Sequence, residues 1–192
     1  PGLILRPVIE SLRSLFQGDL KWFALFMFAV STGSAYSTPF FFFLKENLKF
    51  NETYLGTLSS LTWLGAVAGC FFYGFISRFL PLKTALGLSI ILGFVGTLSA
   101  LFVFDFKSAI LLFTLGGIMG YISLLPLMAA AAFLAKKEGI EGSLFALLMS
   151  VFNLGQILCA FIGGRLFDII GLTPLILISA VAGLTGFFFL RK

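Results

Sequence analysis

Three polar side chains stand at three-residue spacing in the otherwise apolar run EGSLFALLMSVFNLGQ: Ser150, Asn153 and Gln156. A second polar group lies in STGSAYSTP, residues 31–39, with Ser34, Tyr36 and Ser37 at its centre. A further phenol, Tyr121, closes the glycine-rich run GGIMGY. Hydroxyls, amides and phenols give and take hydrogen bonds and offer flat ring faces. They suit reversible binding of a solute, and no residue is expected to be catalytic, so no enzyme is expected. The chain has no His, and Cys70 and Cys159 both fall inside apolar runs. Free buried thiols are therefore expected, with no disulfide and no metal site. A GxxxxGK[ST] phosphate loop is also absent, which argues against an ATPase domain, and no cofactor is expected.

These groups sit in an unusually apolar chain. Of 192 residues 59% are hydrophobic and 11% are charged, against about 25% charged in soluble domains. Too little polar surface remains to dissolve a globule. Apolar runs recur, and a membrane-spanning helix needs roughly 20 apolar residues. The expected fold is an all-α membrane protein, a bundle of six transmembrane helices near residues 22–44, 54–79, 84–104, 108–134, 143–170 and 174–190. Residues 1–21 form a separate cytoplasmic segment and residues 22–192 the bundle. The net charge of +5 does not cluster on one soluble face but punctuates the gaps between runs, so the partner is a lipid bilayer and not nucleic acid. The first run is too long for a secretory signal core and lacks an A-x-A site, so it should stay. Pro1 is not an initiator Met, which suggests a fragment.

Charge fixes the expected orientation. Arg6, Arg13, Lys21, Arg78, Lys83, Lys136, Lys137, Arg191 and Lys192 fall on one side, nine in all, against Lys45, Lys49, Lys107 and Arg165 on the other. Positive-inside bias then places both termini in the cytoplasm of a cell membrane, inner or plasma. Before the first span, Val8, Ile9, Leu12, Leu15 and Phe16 recur at helical spacing, with Pro7 suited to a first turn. This predicts an amphipathic helix on the inner leaflet or a linker helix between domains. The sequon Asn51-Glu52-Thr53 falls in a short outer loop that hugs the membrane, and is read as chance.

In lipid, polar side chains go where protein or water receives them. Five hydroxyls around Tyr36 predict a cavity-lining stretch in the first span, although Ser and Thr also satisfy backbone carbonyls or join helices. Pro39 removes a donor and crowds the carbonyl four residues back, so a kink is expected there. Gly116 and Gly120 in the fourth span, and Gly65 and Gly69 in the second, have the G-x-x-x-G spacing of close helix contact. In the fifth span Ser143, Ala146, Ser150, Asn153, Ala160, Gly164 and Asp168 fall within an arc of about 80–100°, with Phe145, Leu148 and Phe152 facing away. Asn153 is expected to face protein or water, since burying an unpaired amide costs several kcal/mol. Arg165 and Asp168, three apart, could pair at the outer interface. No carboxylate falls deep in any span, so a proton-coupling acid would lie elsewhere.

Six spans with both ends inside, and polar breaks in the first and fourth, resemble one half of a major facilitator superfamily transporter. That resemblance implies that the first and fourth helices line a cavity, the second and fifth flank it, and the third and sixth face lipid. The amphipathic segment then corresponds to the end of the central loop, making this the C-terminal half and its partner an N-terminal six-helix half. The superfamily's G-x-x-x-D-R-x-G-R-R loop is only echoed: Gly74 and Lys83 fit, while Arg78 stands at the acidic position and Pro81 at the second glycine. Gly164 to Gly171 resembles the G-x-x-x-D-x-x-G that closes the fifth helix. The segment Glu141-Gly142-Ser143-Leu144-Phe145-Ala146-Leu147-Leu148-Met149-Ser150, with Asn153 and a preceding Pro126, resembles the folate-biopterin transporter family over about fifteen residues. The resemblance implies a secondary active transporter that moves a small organic solute, folate or a pterin, by alternating access. Ser34, Tyr36, Ser37, Tyr121, Ser150 and Asn153 are then the substrate-binding candidates. The alternatives are a facilitator permease for another small solute and a non-transporting membrane scaffold or assembly factor.

Overall fold

With no water in a bilayer to receive backbone groups, apolar runs must close their hydrogen bonds internally, and helices do so. The computed structural model describes residues 2–16, 18–136 and 140–190, and for residues 2–8 the backbone alone. Gln17, Lys137, Arg191 and Lys192, and the side chains of Arg6, Pro7 and Val8, lie outside the described residues. The described chain is helical, in the order α1 Gly2–Leu15, α2 Gly18–Ser31, α3 Ser37–Glu46, α4 Glu52–Ile76, α5 Leu82–Ser99, α6 Phe106–Leu134, α7 Glu141–Ile170, α8 Leu172–Leu184 and α9 Gly186–Leu190. Short 3₁₀ turns follow α2 at Thr32–Ser34 and α5 at Ala100–Phe102.

Local sequence sets the ends. The Asn51 side chain, part of the sequon, accepts from the Tyr54 backbone N–H at 2.8 Å and caps α4. Asp105 and Ser108 form a capping box on α6: the Asp105 carboxylate accepts from Ser108 N–H at 2.7 Å, and the Asp105 N–H donates to Ser108 Oγ at 3.0 Å. The Ser108 hydroxyl and then its backbone N–H hold the exposed Asp105 carboxyl below its ordinary range. Gly171, with φ of 78°, ends α7 in a conformation that a side chain would strain.

Among the described residues, five continuous stretches are long and apolar enough to cross a membrane: Glu52–Ile76, Leu82–Phe102, Phe106–Leu134, Glu141–Ile170 and Leu172–Leu190. The expected first span, residues 22–44, departs from the others. It is two helices, α2 and α3, separated by residues 32–36. The break falls before Pro39 rather than at it, because Pro39 lies in the first turn of α3, where a backbone donor is not needed. The fourth span, expected to carry a polar break, is one continuous helix: α6 runs through buried Pro126, braced by Leu127, Ala130 and Ala131 in the core.

Two apolar clusters close the bundle ends. One gathers Phe23, Phe26 and Met27 of α2 with Ile90 of α5, Leu127 of α6 and Leu148 and Phe152 of α7. The other gathers Phe40 and Leu44 of α3 with Leu58, Val103, Ala109 and Ile176. The broken span's polar residues lie between them. Helix α1 packs against α7 and α2, burying Ser11, Ser14 and Leu15 and leaving Ile9, Leu12 and Phe16 outward. Of the stripe expected from sequence, Ile9, Leu12 and Phe16 are exposed and Leu15 is buried, while the Val8 side chain lies outside the described residues. Cys159 is buried, but Cys70 is exposed on α4, contrary to the expectation of two buried thiols.

A candidate solute chamber at the broken helix

Pro39 has no N–H to offer the Ala35 carbonyl one turn back, and that carbonyl faces α7 at Gly163. A Cβ at position 163 would overlap the Ala35 oxygen, so only glycine admits the approach. Gly155, two turns earlier on α7, bears in the same way on the Ser31 hydroxyl and the Phe28 ring. From the other side, Thr97 Oγ1 of α5 donates to the Gly33 carbonyl at 3.4 Å. Gly33 further faces Gly183 of α8 at ordinary contact distance. Three helices, α5, α7 and α8, thus pack on the break.

This geometry reverses the expected rotation of α7. Its packed face is Leu144, Leu148, Phe152, Gly155, Cys159 and Gly163, so Leu148 and Phe152 point into the bundle and not away from it. Close contact at two glycines decides the rotation: Gly163 on the Ala35 backbone, and Gly155 on the Ser31 and Phe28 side chains. The small-and-polar arc lies on the opposite side, with Ser150 and Asn153 exposed. Arg165 makes no close ion pair with Asp168 and lies instead over the Phe161 ring, 5.3 Å from its centroid. The glycine spacing in α6 resolves differently as well. Gly65 and Gly69 of α4 do touch α6, at Thr114 and Ile118, but the α6 glycine in contact is Gly117, against Thr62 and Ala66. Gly116 and Gly120 meet nothing within 4 Å and face a cavity instead.

That cavity has a volume of about 560 Å³, within the range of about 300–1,000 Å³ usual for small-molecule sites. Its walls include Ser34, Tyr36 and Ser37 of the broken span, Gly93, Gly96 and Thr97 of α5, Gly116, Gly120 and Tyr121 of α6, Asn153 and Gln156 of α7, and Ser179 of α8. A second chamber of about 510 Å³ adjoins it toward the end bearing Lys45 and Glu52. Its walls are more aromatic: Phe40, Phe41, Trp63 and Phe113. Tyr36, Ser37, Thr62, Gly96 and Gly116 line both chambers. Among the described residues, no Asp, Glu, Lys or Arg lines either one, and no group of ligating side chains could hold a metal ion.

Five of the six sequence-chosen site residues share the first chamber: Ser34, Tyr36, Ser37, Tyr121 and Asn153. They do not contribute alike. The Ser34 hydroxyl donates to the Ser31 carbonyl at 2.6 Å, as Ser31 and Thr32 do to Phe28 and Ala29 at 2.6 Å. Much of the hydroxyl belt therefore serves its own backbone, while Ser37 is exposed to the chambers. Tyr121 lines the chamber and meets Trp63 edge-on, with centroids 6.2 Å apart at 64°. Ser150 does not reach it; its hydroxyl donates to Ala146 at 2.8 Å within α7. Sequence reasoning missed Ser89, Thr97 and Ser179, on spans expected to face lipid. They are buried, with exposures of 1%, 6% and 2%, and line the chamber. Isolated hydroxyls within otherwise apolar spans were the available signal. Ser123 ties α6 to α5 by donating to the Ser89 carbonyl at 2.8 Å.

The folate-biopterin transporter 4 of Arabidopsis thaliana, named as probable, is 29% identical over 164 residues, covering 80% of this chain and 33% of its own length. The folate-biopterin transporter of Synechocystis is 29% identical over 159 residues, 78% of this chain and 32% of its own length. Folate transporter 2 of Plasmodium falciparum is 28% identical over 143 residues, 69% of this chain and 31% of its own length. The chain spans about a third of the length of these curated relatives. All are named as transporters and none as an enzyme. With five apolar helices of spanning length, the chain is a multi-pass integral membrane protein. The BT1 family profile matches residues 5–177, most of the sequence, and the chain belongs to the BT1 family.

Proposed function

We propose that this chain is the C-terminal half of a secondary transporter, and that its mid-bundle chamber is half of the solute site. The supporting observation is an uncharged chamber of about 560 Å³, lined by phenols, hydroxyls and amides at a broken helix. Interrupted helices at the midplane are where transporters hold their solutes. Helices α2 and α3 together make one crossing, giving six in all and the half-bundle of the major facilitator superfamily. Alternating access then follows from two such bundles rocking about the shared site. The relatives' length leaves room for an N-terminal half, and the unpartnered polar arc of α7 supports one: Asn153 on that arc is costly to leave in lipid.

The solute is a pterin or a folate, as the relatives' names indicate. A flat heteroaromatic ring matches the lining: Tyr121 and Tyr36 offer ring faces, and Ser37, Asn153 and Gln156 offer the donors and acceptors that ring nitrogens and amides need. The absence of carboxylates from both chambers, among the described residues, favours a second reading for the energetics. This half then works as a facilitator, and any coupling proton is carried by other residues.

Radiolabelled biopterin and folate uptake by the full-length gene product tests the proposal. Wild type should accumulate at least one of them. Asn153→Leu should reduce uptake about tenfold at near-normal surface abundance, since one interhelical hydrogen bond in a membrane averages only about 0.6 kcal/mol of stability. Wild type that moves neither solute, or Asn153→Leu with full uptake, would count against the assignment.

A further inference from the structure

The geometry points to a second ring-binding subsite in the aromatic chamber, with Trp63 as its principal stacking face. The inference rests on the transporter reading above and names what that reading leaves open: how a solute with more than one ring is held. The two chambers adjoin, because Tyr36, Ser37, Thr62, Gly96 and Gly116 belong to both walls. At that shared wall a Cβ on Gly96 or Gly116 would meet no atom within 4 Å, and glycine leaves this space unfilled. A solute seated at Tyr121 and Asn153 therefore has one uncharged direction in which to extend.

Ring surface in the second chamber is unevenly available. Phe40 is 8% exposed and stacks on Phe113 at 6.2 Å and 20°, so its face is already covered. Trp63 is 62% exposed. Its indole meets Tyr121 of the first chamber in an edge-type contact, and most of its surface stays open. Phe41, 48% exposed, adds a second open ring. An uncharged chamber of this size, with an open indole joined edge-on to a residue of the solute chamber, suits a neutral second aromatic ring. A charged tail would find no counter-charge in either chamber and must extend beyond them. The occupant is therefore the second aromatic ring of the same solute.

The test compares uptake efficiency for two solutes in the full-length gene product: biopterin, with one ring system, and folic acid, with a second aromatic ring. Trp63→Ala should lower the folic acid to biopterin ratio about tenfold, the upper size expected of one ring–ring contact. Trp63→Phe, which keeps a ring, should hold the ratio within threefold of wild type. Tyr121→Phe, in the shared chamber, should change both solutes together. Ser59→Trp, which fills the second chamber from an exposed position on α4, should lower the ratio even where Trp63→Ala reaches the surface poorly. A ratio unchanged in both Trp63→Ala and Ser59→Trp at normal abundance overturns the subsite, and Trp63 then packs on lipid or on the other half. Wild-type uptake of neither solute overturns the transporter reading itself, a separable result.

Discussion

The carbonyl oxygen of Ala35 occupies the place where a side chain at Gly163 would begin. Pro39 leaves that carbonyl without its helical donor, and the bare α-carbon of Gly163 lets α7 approach it. A sequence-local event, a proline in the first span, is thereby joined to the rotation of a helix more than a hundred residues later. The contact is what turns Leu148 and Phe152 inward and leaves Ser150 outside the chamber, with Asn153 at its wall.

The neighbouring glycine makes the contact testable. Gly163→Ala should destabilise the full-length gene product by about 1–3 kcal/mol, the usual cost of overpacking. Gly164→Ala, whose Cβ meets nothing within 4 Å, should leave stability unchanged. Thermal unfolding in detergent reads the difference. Equal melting temperatures for the two variants would show that the Ala35 contact does not hold α7 in place.

The glycines of α6 separate packing from transport. Gly117→Ala forces a Cβ onto the Thr62 backbone and should reduce surface abundance. Gly120→Leu places its side chain in the open chamber and should abolish uptake at normal abundance. Quantitative blotting with uptake measured in the same cells distinguishes the two. Loss of abundance in Gly120→Leu would mean that the space is filled by another part of the protein.

The proposed orientation predicts opposite reactivity at the two bundle ends. Ser11 is a poor labelling position because it is buried at 1% exposure with its hydroxyl unpartnered among the described residues. Arg13 and Asn47 are exposed. With Cys70 and Cys159 replaced, Asn47→Cys should react with a membrane-impermeant maleimide in intact cells, and Arg13→Cys should react only after permeabilisation. The reverse pattern would invert the topology.

The Asp105 cap should show acid dependence. Its carboxyl is held below its ordinary value by Ser108, so the charged form is favoured by folding. The stabilisation is complete above the ordinary carboxylate range, about pH 4, and is lost as pH falls through the lowered value. Asp105→Asn keeps a capping acceptor without the charge. Wild type should therefore melt above the variant at pH 7, with the gap closing toward pH 3. A gap that does not change with pH would place the difference in cap geometry and not in charge.

Much of the architecture was legible in particular residues. The capping pair Asp105 and Ser108, the glycine at 171 and the apolar runs between charged joints set where helices begin and end. A helix satisfies its backbone within one segment, so local sequence suffices. The polar residues of the mid-bundle chamber were also visible, because a hydroxyl, phenol or amide in an apolar run needs a partner wherever the run lies. Five of six chosen residues meet there for that reason.

Rotation about each helix axis was not legible, because every long helix here carries two usable faces. On α7 the choice lay between a polar arc through Ser150 and Asn153 and a smooth face through Gly155 and Gly163. Periodicity weighs both alike. The tertiary structure decided for the smooth face, because the Ser31 hydroxyl and the Ala35 carbonyl stand opposite it, within a distance that only glycine can meet. The same competition put Gly117 instead of Gly116 against α4, and turned Ser89, Thr97 and Ser179 inward from spans whose composition pointed to lipid. Close packing depends on the shape of the opposing surface, and that surface comes from distant sequence.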